Sequence, residues 1–459
     1  MAVANLLSLG RQSSLLILLL AMGCGGSNQP APTTTSSASS APVTVTIGDA
    51  PIPGLLAFEV TINNITLTGP AGTVTVLSTP AKLEVSHLAG TFIPLTLVKV
   101  PTGTYTQMSV TLGASEVLFL PPGTTVPLHK DIPAPAAPIN IALSPAVTVS
   151  AGASSLNLDL NVLKSLDVDS ANNVTFTPAF LVTMNPIGAA GQQDQENGEA
   201  DDIKGTFVSF SGTQFTIKVG GSAQPLTFNT DSSTIFDPST LSLSTIKVGT
   251  VLEVDASTQA DGLLLAKKIE VESENQLGLE IEGLVTATTG TPVTSFQLIA
   301  QEVSAPSTVS PNLGSAVTVN LDANTSFRVN PSGNLTIPSG LAFNASTLAP
   351  GQSVEADADI GGVSSFTARR IQLKEEAVDG TISALNGTAF LLTLDPNSTL
   401  AKLSGKTSIN VSAPNPSNKT GVALANGQII RARGLLFFTP AAGTSSSSYT
   451  LVARQIRKP

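Results

Sequence analysis

The sequence predicts an all-β protein in two parts: a β-sandwich over residues 43–187, then three copies of a smaller β-module over 203–459. Three observations predict it. Apolar residues alternate with polar ones, as in Val43, Val45 and Ile47 or Leu156, Leu158 and Leu160, and a period of two marks a half-buried strand. Gly and Pro clusters such as Pro51-Ile52-Pro53-Gly54 and Pro121-Pro122-Gly123 supply turn chemistry between the alternating runs. No window carries a convincing apolar stripe at helical spacing, and after residue 202 the chain repeats itself.

The composition narrows the functions available. Of 459 residues 41% are apolar, enough for packed cores, and only 12% are charged, about half the usual share. A net charge of −10 without a basic block argues against nucleic acid as a partner. One cysteine and two histidines exclude a disulfide framework within the chain and a cysteine- or histidine-rich metal site. No metal and no cofactor is therefore expected.

Residues 1–23 read as an export signal. Arg11 is the only charge before Asp49, Leu15 to Met22 is an apolar run too short to span a bilayer, and Ala21-Met22-Gly23 leads into Cys24. This order resembles the lipobox of bacterial lipoproteins, in which the cysteine sulfur takes a diacylglycerol and the peptide is cut just before it. The lipobox usually has Leu where Ala21 stands. The resemblance implies lipidation at Cys24. Gly25 stands where an Asp would favour retention on the inner membrane, which points to the outer membrane. Residues 24–42, nearly all Gly, Ser, Thr, Pro and Ala, read as a tether.

In the region 43–187, Ile47-Gly48-Asp49-Ala50-Pro51 closes the first strand. Val100-Pro101-Thr102-Gly103-Thr104-Tyr105-Thr106 reads as a turn into a strand, and Phe176-Thr177-Pro178-Ala179-Phe180 lies near the end. With these motifs the region resembles the bacterial envelope family called domain of unknown function 4382. The resemblance implies a lipoprotein context and a prealbumin-like or immunoglobulin-like sandwich, and no activity. Asp49 is expected to cap a turn. Tyr105 is expected to be a packed ring whose hydroxyl bonds backbone. His87 falls at an alternating, half-exposed position, and His129, after Pro127, is expected in a loop.

Residues 188–202 read as an acidic linker. A calcium loop starting at Asp194 would need Gly where Glu199 stands and Glu where Gly205 stands.

The three modules are bounded at 203–276, 277–376 and 377–459. They open on Ile203-Lys204-Gly205, Ile281-Glu282-Gly283 and Val378-Asp379-Gly380. Later in each copy come Gly249-Thr250-Val251-Leu252-Glu253-Val254-Asp255, Gly351-Gln352-Ser353-Val354-Glu355-Ala356-Asp357 and Gly427-Gln428-Ile429-Ile430-Arg431-Ala432-Arg433. The glycine before that strand suits a tight turn or bulge. The closing segments carry Lys267-Lys268 and Arg369-Arg370, which suit an edge or outward face. The unit resembles domain of unknown function 5666, which implies a small barrel of oligonucleotide-binding (OB) type. Here it lacks stacking aromatics on a basic groove.

No catalytic motif stands out, and a serine triad would have only His87 and His129 to draw on. The carboxylate pairs Glu253/Asp255, Glu355/Asp357/Asp359 and Asp167/Asp169 sit at spacing two, so each pair would share one solvated strand face. Arg431 and Arg433 replace the acids in copy three, which fits contacts between neighbouring modules better than catalysis. The expectation is a non-enzymatic, monomeric envelope lipoprotein. It would be held to the membrane by its lipid and act in binding, adhesion or as an end-to-end spacer, with an envelope protein or polysaccharide as partner. A carbohydrate-binding protein and a carboxylate hydrolase are the alternatives.

Overall fold

The alternating segments fold as strands in the computed structural model, which describes residues 39–458 except 50–53, 89–91, 122–123, 125, 188–197, 220–224, 272–278, 305–310, 330–334, 359–363, 415 and 419–422. Cys24, Asp359 and most of the 188–202 segment lie outside the described residues.

The first domain is a sandwich. In one sheet Ser40–Asp49 pairs parallel with Ser154–Leu160 and antiparallel with Phe92–Pro101, and Phe180–Pro186 flanks Ser154–Leu160. The other sheet is built on the long strand Leu55–Gly69, flanked by Gly103–Leu112 and Ser115–Phe119. The period-two pattern decides which face turns inward. Val43, Val45 and Ile47 meet Phe58, Val60, Ile62 and Ile65 in one core, each fully buried side chain contributing about 1.5–3 kcal/mol. Tyr105 is buried, and its hydroxyl donates to Pro101 O at 2.8 Å as the turn chemistry suggests. His129 is not in a loop. It lies on the strand Leu128–Ile132, where Ile132 turns into the core and His129 pairs with Leu118. Pro127 precedes that strand instead of interrupting it.

The first and third modules are closed five-strand barrels, and the second has the same strand order with a break in its closing strand. In the first the strands are Glu199–Ser211, Gln214–Val219, Pro225–Asn229, Val251–Thr258 and Leu264–Val271. The first strand pairs with the second and fourth. The fifth pairs with the fourth and, parallel, with the third through Phe228 and Leu264, which closes the barrel. That pairing is the OB topology. The third module repeats it with Glu375–Asn386, Ala389–Leu394, Ser408–Ser412, Ile429–Thr439 and Ser448–Arg457. The second uses Leu279–Thr289, Ser295–Ser304, Ala316–Asn320 and Ser353–Ala358, but its fifth strand is broken into Ser365–Thr367 and Arg370–Leu373. The first piece pairs with the third strand and the second with the fourth. The first barrel begins at Glu199, inside the stretch whose composition reads as linker.

The repeated glycines have two distinct causes. Gly249, Gly351 and Gly427 have φ of +92°, +94° and +85°. Their N–H groups donate to Phe207 O, Val285 O and Ile382 O at 2.9, 2.8 and 2.8 Å, tying the start of each fourth strand to the first. Only glycine takes that backbone without strain. Gly283 and Gly380 are instead required by close approach: an added Cβ would stand 1.9 Å from Ile299 O and 2.5 Å from Thr393 O.

The modules are not strung end to end. Each touches the sandwich: Thr258 faces Thr44 at 3.4 Å, Gln301 donates to Leu56 O at 2.7 Å, and Lys402 donates to Leu120 O at 2.9 Å. An apolar seam joins Leu56, Ala57, Leu118 and Leu120 of the sandwich to Leu284 and Ile299 of the second barrel. Leu435, Phe437 and Val452 of the third barrel pack into the core of the second. Ser39–Pro459 is accordingly one compact unit.

The two glycine classes should separate on substitution. Gly427→Ala meets open space and is expected to cost only the left-handed backbone penalty, about 1–2 kcal/mol. Gly283→Ala drives a methyl into a backbone oxygen and should lower the urea midpoint clearly further. Equal midpoints would show that the close approach is not a constraint.

Candidate functional site

Glu253, Glu355 and Asp357, expected on solvated strand faces, are buried where barrels one and two meet. Glu253 is 6% exposed, Glu355 0% and Asp357 3%. The reason is cross-strand register. Lys204, Glu253 and Glu270 lie opposite one another on the first, fourth and fifth strands of barrel one. Glu282, Glu355 and Gln372 hold the same places in barrel two, and Asp379, Arg431 and Arg457 in barrel three. Each barrel thus carries one polar row, and the rows of barrels one and two face each other.

Lys204 is the centre of that contact. Its ammonium donates to Glu280 Oε1 at 2.9 Å, Glu282 Oε2 at 3.2 Å and Glu355 Oε2 at 3.1 Å, all from barrel two. Lys374, just beyond the last strand of barrel two, returns the contact to Glu253 of barrel one at 2.7 Å. Arg370 binds Glu355 at 3.2 Å and also Asp357. Arg328 of barrel two binds Glu270 at 3.0 Å and Asp237 of barrel one. The closing-segment cations are therefore used in contacts as well as exposed: Lys268 binds Glu270 at 2.6 Å, and Lys267, more exposed, binds Glu199.

Glu280, Glu355 and Asp357 bring carboxylate oxygens within 4.8 Å of one another, a spacing that suits a metal ion. Lys204 and Arg370 already hold those oxygens. They thus occupy most of the cluster's acceptors, although Glu280 Oε2 is buried without a hydrogen-bond partner.

The charges respond to that environment in opposite directions. Burial raises Glu280 to about 8, although Lys204 opposes it. Burial also raises Asp357, to about 6, with Glu355 adding to the effect. Burial works to raise Glu355 too, but Lys204, Lys374 and Arg370 outweigh it and hold that carboxyl at about 2. Lys204 is held well above its ordinary value: burial works to lower it, and Glu280, Glu355 and Glu282 prevail.

Barrel three carries arginines in the same places for a different neighbour. Arg431 binds Asp379 through two hydrogen bonds, 2.7 and 2.9 Å long. Asp159 of the sandwich is raised by burial, and Arg457 and Arg431 oppose that rise. Glu375 takes Arg454 at 3.0 Å and Arg433 at 3.3 Å. Arg431 and Arg433 thus pair with acids of their own barrel, and Arg431 and Arg457 also lie close enough to Asp159 of the sandwich to act on it. Asp167 and Asp169 remain exposed, and Asp169 caps a turn by accepting from the backbone of Ala171 and Asn173, each at 2.8 Å. His129 lies beside Glu116 at 3.3 Å on the exposed outer strands of the sandwich.

Sequence reasoning missed Lys204, Glu280, Lys374 and Glu376. For Lys204 a signal existed: it is a cation at the motif position where copies two and three have Glu282 and Asp379.

A cleft of about 370 Å³ opens where the sandwich, barrel two and barrel three meet. Its wall includes Leu55 and Leu163 of the sandwich, Leu284 and Gln301 of barrel two, and Glu376 and Leu400 of barrel three. Junctions between folded units are favoured places for small-molecule sites.

Residues 40–178 match the family model of domain of unknown function 4382, and residues 204–270 and 282–372 match that of domain of unknown function 5666. Barrel three shares the pairings and the left-handed glycine of the two matched barrels. No curated protein matches the chain.

The interface should be most stable in mild acid. Glu280 and Asp357 have folded pKa values above their ordinary ones, so the stability they lend is complete below the ordinary carboxylate range and is lost as pH rises through about 6 and about 8. Glu355 has the opposite sign and loses its contribution as pH falls from 4.5 towards about 2. Urea unfolding should therefore show stability falling between pH 5 and pH 8, on the order of a few kcal/mol. Glu280→Gln should make that slope shallower. A slope unchanged by Glu280→Gln would contradict the assignment.

Proposed function

We propose that this chain is a non-enzymatic, lipid-anchored protein of the bacterial envelope whose folded head binds a small ligand in the cleft between the sandwich and barrels two and three. The observation that carries the anchoring is the order of the first residues: Arg11, the apolar run Leu15 to Met22, the small residues before Cys24, and a polar stretch leading to the first strand at Ser40. Losing only Arg11 with residues 1–23 leaves 21 cations against 32 acids. An anionic lipid surface repels such a protein, so the lipid must hold it, and stable anchoring takes more than one acyl chain. Gly25 favours the outer membrane.

Binding is favoured over turnover because the clustered buried carboxylates Glu253, Glu280 and Asp357 are paired with cations where barrels one and two meet. Binding is favoured over a spacer role because each barrel rests on the sandwich, which shortens any reach from the tether. A carbohydrate platform is less well supported: among the described residues no aromatic side chain lines the cleft, and sugar platforms usually rely on stacking rings.

Cys24→Ala should move the protein from the membrane fraction to the soluble fraction and abolish metabolic labelling by palmitate. A variant that still fractionates with membranes and still takes the label would overturn the anchor.

A further inference from the structure

On the outer face of the sandwich a histidine and two carboxylates meet at the edge of a sheet. Leu128–Ile132 is the edge strand, paired antiparallel with Ser115–Phe119. His129 and Asp131 stand two residues apart on it, so both project from one face. Glu116 is directly opposite Asp131 on the neighbouring strand and shares that face. His129 Nε2 stands 3.3 Å from Glu116 Oε2 and 3.8 Å from Asp131 Oδ1. All three side chains are open to solvent: His129 is 49% exposed, Glu116 44% and Asp131 85%.

The neighbouring acids are already engaged, and these two are not. Glu116 and Asp131 end a cross-strand row that runs through Glu84 and Glu59. Lys82 takes Glu59, and Glu84 accepts from the N–H groups of Phe58 and Ser86 at 2.6 and 2.9 Å. Lys130 alternates to the opposite face of the edge strand, where its charge reaches Asp169. Among the described residues no Lys or Arg pairs with Glu116 or Asp131. The buried Glu280, Glu355 and Asp357 are as closely spaced, but Lys204 and Arg370 already stand among them.

We infer that His129, Glu116 and Asp131 form a surface site for a divalent ion of the zinc class, bound through Nε2 and one oxygen of each carboxylate, with the remaining position left to water. The donor set selects that class: imidazole suits zinc and its neighbours, whereas calcium and magnesium take oxygen ligands. The spacing fits as well. Donors bonded to one tetrahedral zinc lie about 3.3–3.6 Å apart, which Nε2 and Glu116 already meet. Asp131, the most exposed of the three, closes the remaining gap by rotating its carboxyl. The composition excludes a histidine-rich centre, but this set draws on a single histidine. None of the three lines the cleft, so the site stands apart from it. An ion there ties the edge strand to its neighbour, whose Leu118, opposite His129, continues into the seam with barrel two.

The test is calorimetric titration of the full chain, first stripped of metal, with Zn²⁺ alone as the probe. One zinc per chain is expected, and a large excess of Mg²⁺ or Ca²⁺ should not displace it. His129→Ala and Asp131→Asn should each weaken binding about tenfold or more, while His87→Ala should leave it unchanged. In the parent chain zinc should shift the imidazole NMR signals of one of the two histidines, a readout that needs no variant to fold. Zinc that binds His129→Ala as tightly as the parent, zinc displaced by Mg²⁺ or Ca²⁺, binding lost in His87→Ala instead, or imidazole signals that do not move would each overturn the site, as would no uptake of zinc at all.

Discussion

The head depends on the desolvation of one ammonium. Lys204 leaves water for a place where three carboxylates of the next barrel stand within 3.2 Å. A buried charge is tolerable only when its partners are all in place, and removing one partner of such a pair costs about 3–5 kcal/mol. Barrel one therefore has a single favourable seat on barrel two. Lys374 and Arg328 fix that seat from the other side by reaching back to Glu253 and Glu270. The burial fixes geometry more than it adds net stability, since apolar residues of the same volume could pack there at no greater cost.

The cleft follows from that rigidity. Its walls belong to three units, so it exists only while the units hold their places. Between barrels two and three the constraint is apolar and polar together: Leu435 and Phe437 enter the neighbouring core, while Gln352, fully buried, donates to Leu436 O at 2.9 Å. Against the sandwich, Gln301 and Lys402 donate to the strand-end carbonyls of Leu56 and Leu120, and a leucine seam closes around them. Glu376 sits next to this junction, with one oxygen buried and without a hydrogen-bond partner.

Much of this was legible in the sequence, and the illegible part has a physical cause. Alternation placed Val43, Val45 and Ile47 in the sandwich core, and the spacing of Gly249, Gly351 and Gly427 revealed the barrel repeat with its left-handed turn. Asp167 and Asp169 are exposed as expected, but Glu253, Glu355 and Asp357 were misplaced, because a period of two shows which residues share a face, without showing whether that face meets water or another barrel. Lys204 gave the only local hint, a cation where the repeat has acids. The cleft left no trace, because Leu55, Leu284, Glu376 and Leu400 are far apart in the chain and join only through the packing of units. His129 was misread because the Pro-rich stretch before it masked a short outer strand.

The most direct test of this account is a double-mutant cycle across the boundary of barrels one and two, using Lys204→Met, Glu355→Gln and the double variant in urea unfolding at pH 7. Direct contact in a buried network predicts a coupling energy of about 1.5–3 kcal/mol, with the double variant more stable than the sum of the single losses implies. Single losses that add within about 0.5 kcal/mol would mean that the two barrels do not meet through these charges in solution, and would contradict the fixed head on which the cleft depends.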